Sequence, residues 1–124
     1  MMKWLISLFS TNKEKQLLPS DLHYACGEEG SIETLAKLLE SKPDLEKKDA
    51  QRKTPLFWAI ENGRLDCFEL LLQSGANPNA QDEDGVTCLN IALSSNGLSE
   101  FSDALKRFNV DPTIKDKHGK LYLM

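Results

Sequence analysis

The sequence has no apolar run long enough to cross a bilayer, which takes about 20 consecutive apolar residues. It also has no Asn-x-Ser/Thr acceptor for N-linked glycans. Its three cysteines, Cys26, Cys67 and Cys88, are odd in number, and their spacings match no zinc or redox motif. These absences exclude a membrane-spanning protein and a disulfide scaffold, and they predict a reducing, cytoplasmic location.

The sequence also lacks a strong excess of charge of either sign. The 124 residues include 15 Lys and Arg and 19 Asp and Glu, for a net charge of −4. A general nucleic-acid binder usually carries a strong basic excess, so we expect no nucleic-acid partner. Hydrophobic residues make up 40% and charged residues 27%, which is typical of one soluble globular domain.

No constellation of catalytic or metal-ligating residues is evident. His23 and Cys26 are three residues apart, as two metal ligands can be, but no third and fourth ligands lie nearby in sequence. The adjacent acids at 28–29 and 82–84 are typical of solvated turns, and no Gly-Lys-Ser/Thr phosphate loop occurs. The sequence therefore predicts a protein that is not an enzyme and needs neither metal nor cofactor.

What the sequence does contain is an internal repeat. The segment TPLFWA at 54–59 recurs as TCLNIA at 87–92, and SDLHYA at 20–25 precedes it at nearly the same interval. Two further blocks recur in the same order: GANPN at 75–79 returns as NVDPT at 109–113, and DEDG at 82–85 returns as DKHG at 116–119. Blocks that recur in one order at one period are typical of a repeat architecture.

Each repeat predicts two helices. Thr54 offers a side-chain oxygen to cap the first helix, as do Ser20 and Thr87 in the other repeats. Pro55 suits the first helical position, and Gly63 suits a helix end. A second helix with its own apolar stripe follows. The predicted pairs are Ser20–Gly27 with Ser31–Ser41, Thr54–Asn62 with Arg64–Ser74, and Thr87–Ser95 with Leu98–Phe108.

This pattern resembles the ankyrin repeat family, whose signature is Thr-Pro-Leu-His-x-Ala. The resemblance covers about residues 20–120 and implies an all-α helical solenoid with short β-hairpin-like finger turns. We expect an N-terminal segment at 1–19 that forms a capping helix, and a repeat domain at 20–124. The expected divisions are repeats at about 20–48, 49–81 and 82–115, followed by a C-terminal cap at 116–124.

Three departures from the family pattern affect local geometry. The signature histidine survives only as His23, because Phe57 and Asn90 replace it in the other repeats. Arg52 stands where glycine is typical, which predicts a tighter or irregular hairpin. One extra residue separates the two helices of the first repeat and of the third.

The N-terminal segment begins MMKWLISLFS. Its apolar core, Trp4 to Phe9, is too short for a signal peptide and no cleavage pattern follows it, so we expect no secretion. We predict that this segment folds over the open end of the first repeat, since terminal repeats need capping. The alternative is contact with a membrane surface, which Lys3, Lys13 and Lys15 would support.

The resemblance implies that the residue before the alanine of each inner helix faces a concave groove. Here those residues are Tyr24, Trp58 and Ile91, of which the two aromatics belong to types enriched in binding hot spots. They alternatively pack only on one another or on the finger bases. Charged residues that complete the predicted partner-binding face are Glu61, Arg52, Lys53, Asp82, Glu83, Asp84, Lys117 and His118.

The predicted function follows from this scaffold. Because the repeats account for nearly the whole chain, we expect a small stoichiometric binder of another protein, such as an inhibitor, an immunity-type protein or an adaptor. We expect it to be a monomer when free. The alternative is a membrane-peripheral accessory protein tethered by the N-terminal apolar segment.

Overall fold

The computed structural model describes residues 20–94 and 97–121. Six helices and no strand occur in these residues. The helices are α1 (Asp21–Ala25), α2 (Ile32–Leu39), α3 (Pro55–Glu61), α4 (Leu65–Gln73), α5 (Cys88–Ser94) and α6 (Ser99–Arg107). Each predicted helix pair is present, and the all-α prediction is confirmed. None of the described helices is long and apolar enough to cross a membrane.

The helices stack in two layers. The inner helices α1, α3 and α5 contact one another in sequence, and the outer helices α2, α4 and α6 do the same. Leu22, Leu56 and Leu89 occupy the same position of successive inner helices and are all buried. Burying these side chains removes apolar surface from water in every repeat, so a single core runs the length of the stack.

The three cysteines lie in this core. Cys26, Cys67 and Cys88 are free thiols and are buried. Burial raises the pKa of Cys26 to about 12 and also raises the pKa of Cys88 and of Cys67. The predicted inward orientation of Cys26 and Cys67 is confirmed, and thiols in this environment are inert toward oxidation and labelling.

The helix caps differ between repeats. Ser20 Oγ accepts the His23 N–H, and Thr87 Oγ1 accepts the Asn90 N–H at 3.2 Å, as predicted. The predicted cap at Thr54 is wrong. The Phe57 N–H donates instead to the Thr54 carbonyl oxygen at 3.0 Å, and the buried Thr54 hydroxyl has no hydrogen-bond partner among the described residues.

These two threonines should therefore respond oppositely to replacement by valine. Thr87→Val removes a cap and is expected to lower the free energy of unfolding by about 1 kcal/mol. Thr54→Val removes a buried hydroxyl that bonds no described residue, so it is expected to be neutral or stabilising by up to about 1 kcal/mol. Urea unfolding of both variants measures the difference, and equal losses would contradict the assigned caps.

Three fingers connect the repeats: finger 1 at 46–53, finger 2 at 80–86 and finger 3 at 115–120. In each, an aspartate closes the turn by accepting two backbone N–H groups; for Asp49 they are those of Gln51 and Lys53, both at 2.9 Å. Asp82 and Asp116 repeat the arrangement. Short carboxylate-to-backbone bonds of this kind fix a turn without a strand.

Arg52 does not make its hairpin irregular, so that prediction is wrong. Finger 1 closes with the same backbone bonds as finger 2, namely Arg52 N–H to the Asp49 carbonyl at 2.9 Å and Gly85 N–H to the Asp82 carbonyl at 3.0 Å. Arg52 achieves this by adopting a left-handed φ of 62°, where Gly85 has 75°. Tertiary structure imposes the glycine conformation on a residue that disfavours it.

Arg52→Gly is therefore expected to stabilise the protein. A non-glycine residue in the left-handed region costs about 1–2 kcal/mol, partly offset by the greater freedom of glycine in the unfolded chain. The net gain in free energy of unfolding should be about 0.5–1 kcal/mol. The matched control is Gln51→Gly, one residue earlier in the same finger, which should destabilise. Thermal and urea unfolding distinguish them, and a loss on Arg52→Gly would refute the strain argument.

Candidate functional site

An aromatic pair stands out on the inner helices. Tyr24 on α1 and Trp58 on α3 meet edge to face, with ring centroids 5.7 Å apart and an interplanar angle of 82°. Tyr24 is 55% exposed, although large apolar groups are usually withdrawn from water in a small soluble domain. This exposed ring resting on a second ring is the feature from which the site is built.

Two contacts fix the orientation of the Trp58 side chain. Its indole Nε1 donates to Asp49 Oδ2 at 2.8 Å, and its ring meets His23 edge to face at 5.4 Å. Burial alone would raise the pKa of Asp49, but the hydrogen bonds from Trp58 and from two backbone amides outweigh it and hold the pKa below its ordinary value. The carboxylate is therefore ionised at neutral pH and fixes the orientation of the indole.

His23 joins the first repeat to finger 1. Its Nδ1 accepts from Ser20 N–H at 2.9 Å, and its Nε2 lies 2.8 Å from the Lys53 carbonyl oxygen. Since a backbone N–H can only donate, Nδ1 is the acceptor and the proton sits on Nε2. Burial lowers the pKa of His23, so the neutral ring is the form that the fold requires.

Ile91 occupies the corresponding position of α5 and is half-buried. The structure therefore brings two of the three predicted groove residues together as an aromatic pair, and an aliphatic side chain follows in the third repeat. The alternative interpretation of Trp58, that it packs on a finger base, is also correct in part because of its bond to Asp49.

The predicted charged residues fall into two groups. Four of them form ion pairs within the protein: Lys53 Nζ with Glu61 Oε1 at 2.7 Å, and Lys117 Nζ with Asp84 Oδ1 at 2.6 Å. Burial alone would lower the pKa of Lys53, but the hydrogen bond and charge of Glu61 raise it. These cations are therefore already partnered in the free protein.

The remaining charged residues differ in availability. Asp82 uses Oδ1 to close finger 2, as described above. Arg52, Glu83 and His118 lie on the fingers and are all exposed. Neighbouring fingers are linked through their backbones, by Glu83 N–H to the Gln51 carbonyl at 3.0 Å and Lys117 N–H to the Asp84 carbonyl at 2.9 Å. The fingers thus form a connected edge beside the inner helices.

Two residues that support this face were missed at the level of sequence. Asp49 orients Trp58, and its recurrence with Asp82 and Asp116 at the repeat period was the available signal. Arg64 Nη1 donates to the carbonyl oxygens of Gly30 at 2.7 Å and Gly27 at 3.3 Å, which fixes the loop between α1 and α2. No pattern in the sequence indicates that contact.

Some predictions fall outside the described residues. These are the capping or membrane role of Trp4 to Phe9, the basic residues Lys3, Lys13 and Lys15, and the end of the predicted C-terminal cap beyond residue 121. Among the residues that the structure does describe, no group of three or more His, Cys, Asp or Glu side chains is placed to hold a metal ion.

Comparison with known proteins gives consistent matches. A family model described as "Ankyrin repeats (3 copies)" matches residues 1–82 and 22–116. The human transient receptor potential cation channel subfamily A member 1 is 30% identical over 116 residues, which is 87% of this chain and 10% of the channel subunit. The mouse B-cell lymphoma 3 protein homolog is 36% identical over 96 residues, 77% of this chain and 21% of that protein.

A solved structure agrees with these sequence matches. The ankyrin repeat domain of Bcl-3, described as a unique member of the IkappaB protein family, superimposes with a TM-score of 0.75 and 38% identity. The match covers 83% of this chain and 45% of that one. The chain thus spans a minor part of the length of the relatives that it matches.

Proposed function

Because the chain belongs to the ankyrin repeat family, we propose that it holds a segment of one partner protein across its inner helices, with Tyr24 and Trp58 as the central contacts. Ankyrin repeats are non-catalytic modules that bind other proteins. The observation that carries the proposal is the exposed Tyr24 ring resting on an indole that Asp49 fixes in place.

The geometry favours binding for two reasons. Tyrosine and tryptophan are enriched among residues whose truncation costs at least about 2 kcal/mol of binding energy. An aromatic surface that is already ordered loses little conformational entropy when a partner arrives, because the indole bond and the edge-to-face contact fix both rings beforehand. A partner would therefore gain contact area at a low ordering cost.

We assign the protein the role of a small stoichiometric binder, such as an inhibitor or an adaptor, acting as a monomer in the cytoplasm. The free, buried thiols support a reducing location. The finger residues Arg52, Glu83 and His118 would steer a charged partner and influence the association rate more than the affinity.

Tyr24→Ala tests the proposal most directly. Partners are captured with the intact protein, identified, and titrated against purified variants by calorimetry. Loss of the Tyr24 ring is expected to weaken binding at least about tenfold. Stability should change little, because the ring is largely exposed. Lys37→Ala, an exposed change on α2, is the matched control and should bind as the parent does. Unchanged affinity of a folded Tyr24→Ala variant would rule out this face.

Trp58 needs a different pair of variants. Trp58→Ala removes the ring and the donor to Asp49 together, so it confounds binding with folding. Trp58→Phe removes the donor but keeps a smaller aromatic ring, so it tests the bond to Asp49 with less loss of packing. These variants complement the Tyr24 test.

A further inference from the structure

A groove of about 250 Å³ lies at the open end of the first repeat. Its lining is mostly apolar, with Leu22, Leu38 and Pro43, and it also includes Ser20, Asp21, Ser41, Asp44 and Lys47. Ser20 is also the first residue that the structure describes. The groove thus begins where the segment 1–19 enters the fold.

The groove exposes part of a residue whose counterparts in the other two repeats are fully buried. Leu71 and Leu105, the counterparts of Leu38 in the second and third repeats, are both 0% exposed, whereas Leu38 is half-buried. Leu105 is fully buried although no described helix pair follows it. The helix pair that precedes a repeat therefore buries this position, and the first repeat has no described pair in front of it.

We propose that residues 1–19 of this same chain fill the groove as an N-terminal half-repeat. In the register of the repeats, Trp4-Leu5-Ile6-Ser7 lies one repeat period before Leu38-Leu39-Glu40-Ser41. The ankyrin family model also matches from residue 1, so the segment carries repeat-like sequence. Its apolar residues would take the place that a preceding outer helix takes on Leu71 and Leu105.

The polarity of α2 agrees with a half-repeat rather than a complete one. Thr34 is exposed, whereas its counterparts Cys67 and Phe101 are buried. Lys37, close to the middle of α2, is exposed too. The apolar residues that line the groove lie at the start of α1, near the C-terminal end of α2 and just beyond α2. A short segment that arrives at Ser20 is sufficient to cover that area.

This inference is independent of the proposed partner-binding face. The groove lies on the side of the first repeat that faces away from the second repeat. In this proposal the apolar residues Trp4 to Phe9 bind to the protein's own first repeat. A membrane or a second copy of the chain would be a competing occupant of the same apolar surface, and each predicts a different experimental result.

A paramagnetic label on the full-length protein tests the docking. Ser41→Cys places one reactive thiol at the groove edge, and the three native thiols are buried, so labelling is selective. Amide signals of residues 1–19 are expected to broaden with this label. The matched control, Lys106→Cys, lies at the corresponding outer helix two repeats away and should leave these signals sharp. Sharp signals with both labels would overturn the proposal.

Two further measurements identify the occupant. Replacing Trp4 and Leu5 together with serine should lower the Tm by on the order of 5 °C, because docked apolar area is lost. Binding to phosphatidylcholine–phosphatidylserine vesicles through this segment, with no change in Tm, would overturn the proposal in favour of a membrane tether. Broadening that disappears on dilution would indicate a second copy and would overturn it as well.

Discussion

His23→Ala is expected to lower the free energy of unfolding by about 2–4 kcal/mol. The ring is 0% exposed and bonds both Ser20 at the start of α1 and the Lys53 carbonyl in finger 1. Alanine would leave the Ser20 N–H without its acceptor and would remove one of two bonds to the Lys53 carbonyl, which also accepts the Asp49 N–H at 3.0 Å. It would also open a cavity beside Trp58. Urea unfolding followed by circular dichroism measures the loss.

His23→Asn separates the two bonds. Asn90 occupies the same position in the third repeat, and its Oδ1 accepts the Thr87 N–H at 2.9 Å. An asparagine can therefore replace the capping bond to Ser20 but is too short to reach Lys53. The expected loss is about half that of alanine. A loss equal to that of alanine would show that the cap contributes nothing.

The same histidine should make stability depend on pH. Its pKa is lowered in the folded protein from the ordinary 6.5, because burial disfavours the charged ring. The unfolded chain therefore binds the proton first as the pH falls. The stabilisation is fully present above pH 6.5 and is lost as the pH falls through the lower folded pKa. Stability should decrease as the solution is acidified from neutral pH, and His23→Asn should flatten that decrease. An unchanged slope in the variant would assign the effect to another group.

Gly30→Ala is expected to cost at least about 3 kcal/mol or to prevent folding of the first repeat. A Cβ at this position would overlap the carbonyl oxygen and carbon of Ala25, and backbone atoms cannot yield as a flexible side chain does. Moving the loop aside would also break the bond from Arg64 to the Gly30 carbonyl.

Gly63→Ala is the matched control for this prediction. Gly63 has open space around its Cα but a left-handed φ of 67°. Its replacement should cost only the conformational penalty of about 1–2 kcal/mol. Comparing the two variants by thermal unfolding distinguishes a steric requirement for glycine from a conformational one. Equal losses would mean that the clash at Gly30 is relieved cheaply.

Sequence periodicity predicted the helices well because it depends on contacts that recur in every repeat. The central inner helix was predicted at Thr54–Asn62 and is observed at Pro55–Glu61. The turn at Arg52 was misjudged for the opposite reason. Periodicity identifies the residue that the family prefers, but it does not reveal how strongly the Asp49 carboxylate and the neighbouring finger enforce the turn.

The candidate site was only partly predictable. Tyr24 and Trp58 follow from the position before the alanine, which the repeat fixes. The pairing of Lys53 with Glu61 and of Lys117 with Asp84 depends on side-chain direction across neighbouring elements, which a linear sequence does not encode. For the same reason, the sequence predicted a partner-binding role for these four residues without indicating that they also pair with one another.

Tyr24 and Trp58 belong to different repeats, so their contact spans the interface between the first and second repeats. Repeats that contact only their neighbours unfold first at the ends of the stack. Amide hydrogen exchange should therefore be slowest around α3 and α4. A ligand that contacts both rings would stabilise this interface against local unfolding. By linkage, a ligand at about 100 times its Kd would add about 2.7 kcal/mol to the apparent stability. Slowed exchange in α1, at the outer side of that interface, would then report occupancy of the face without any label on the partner.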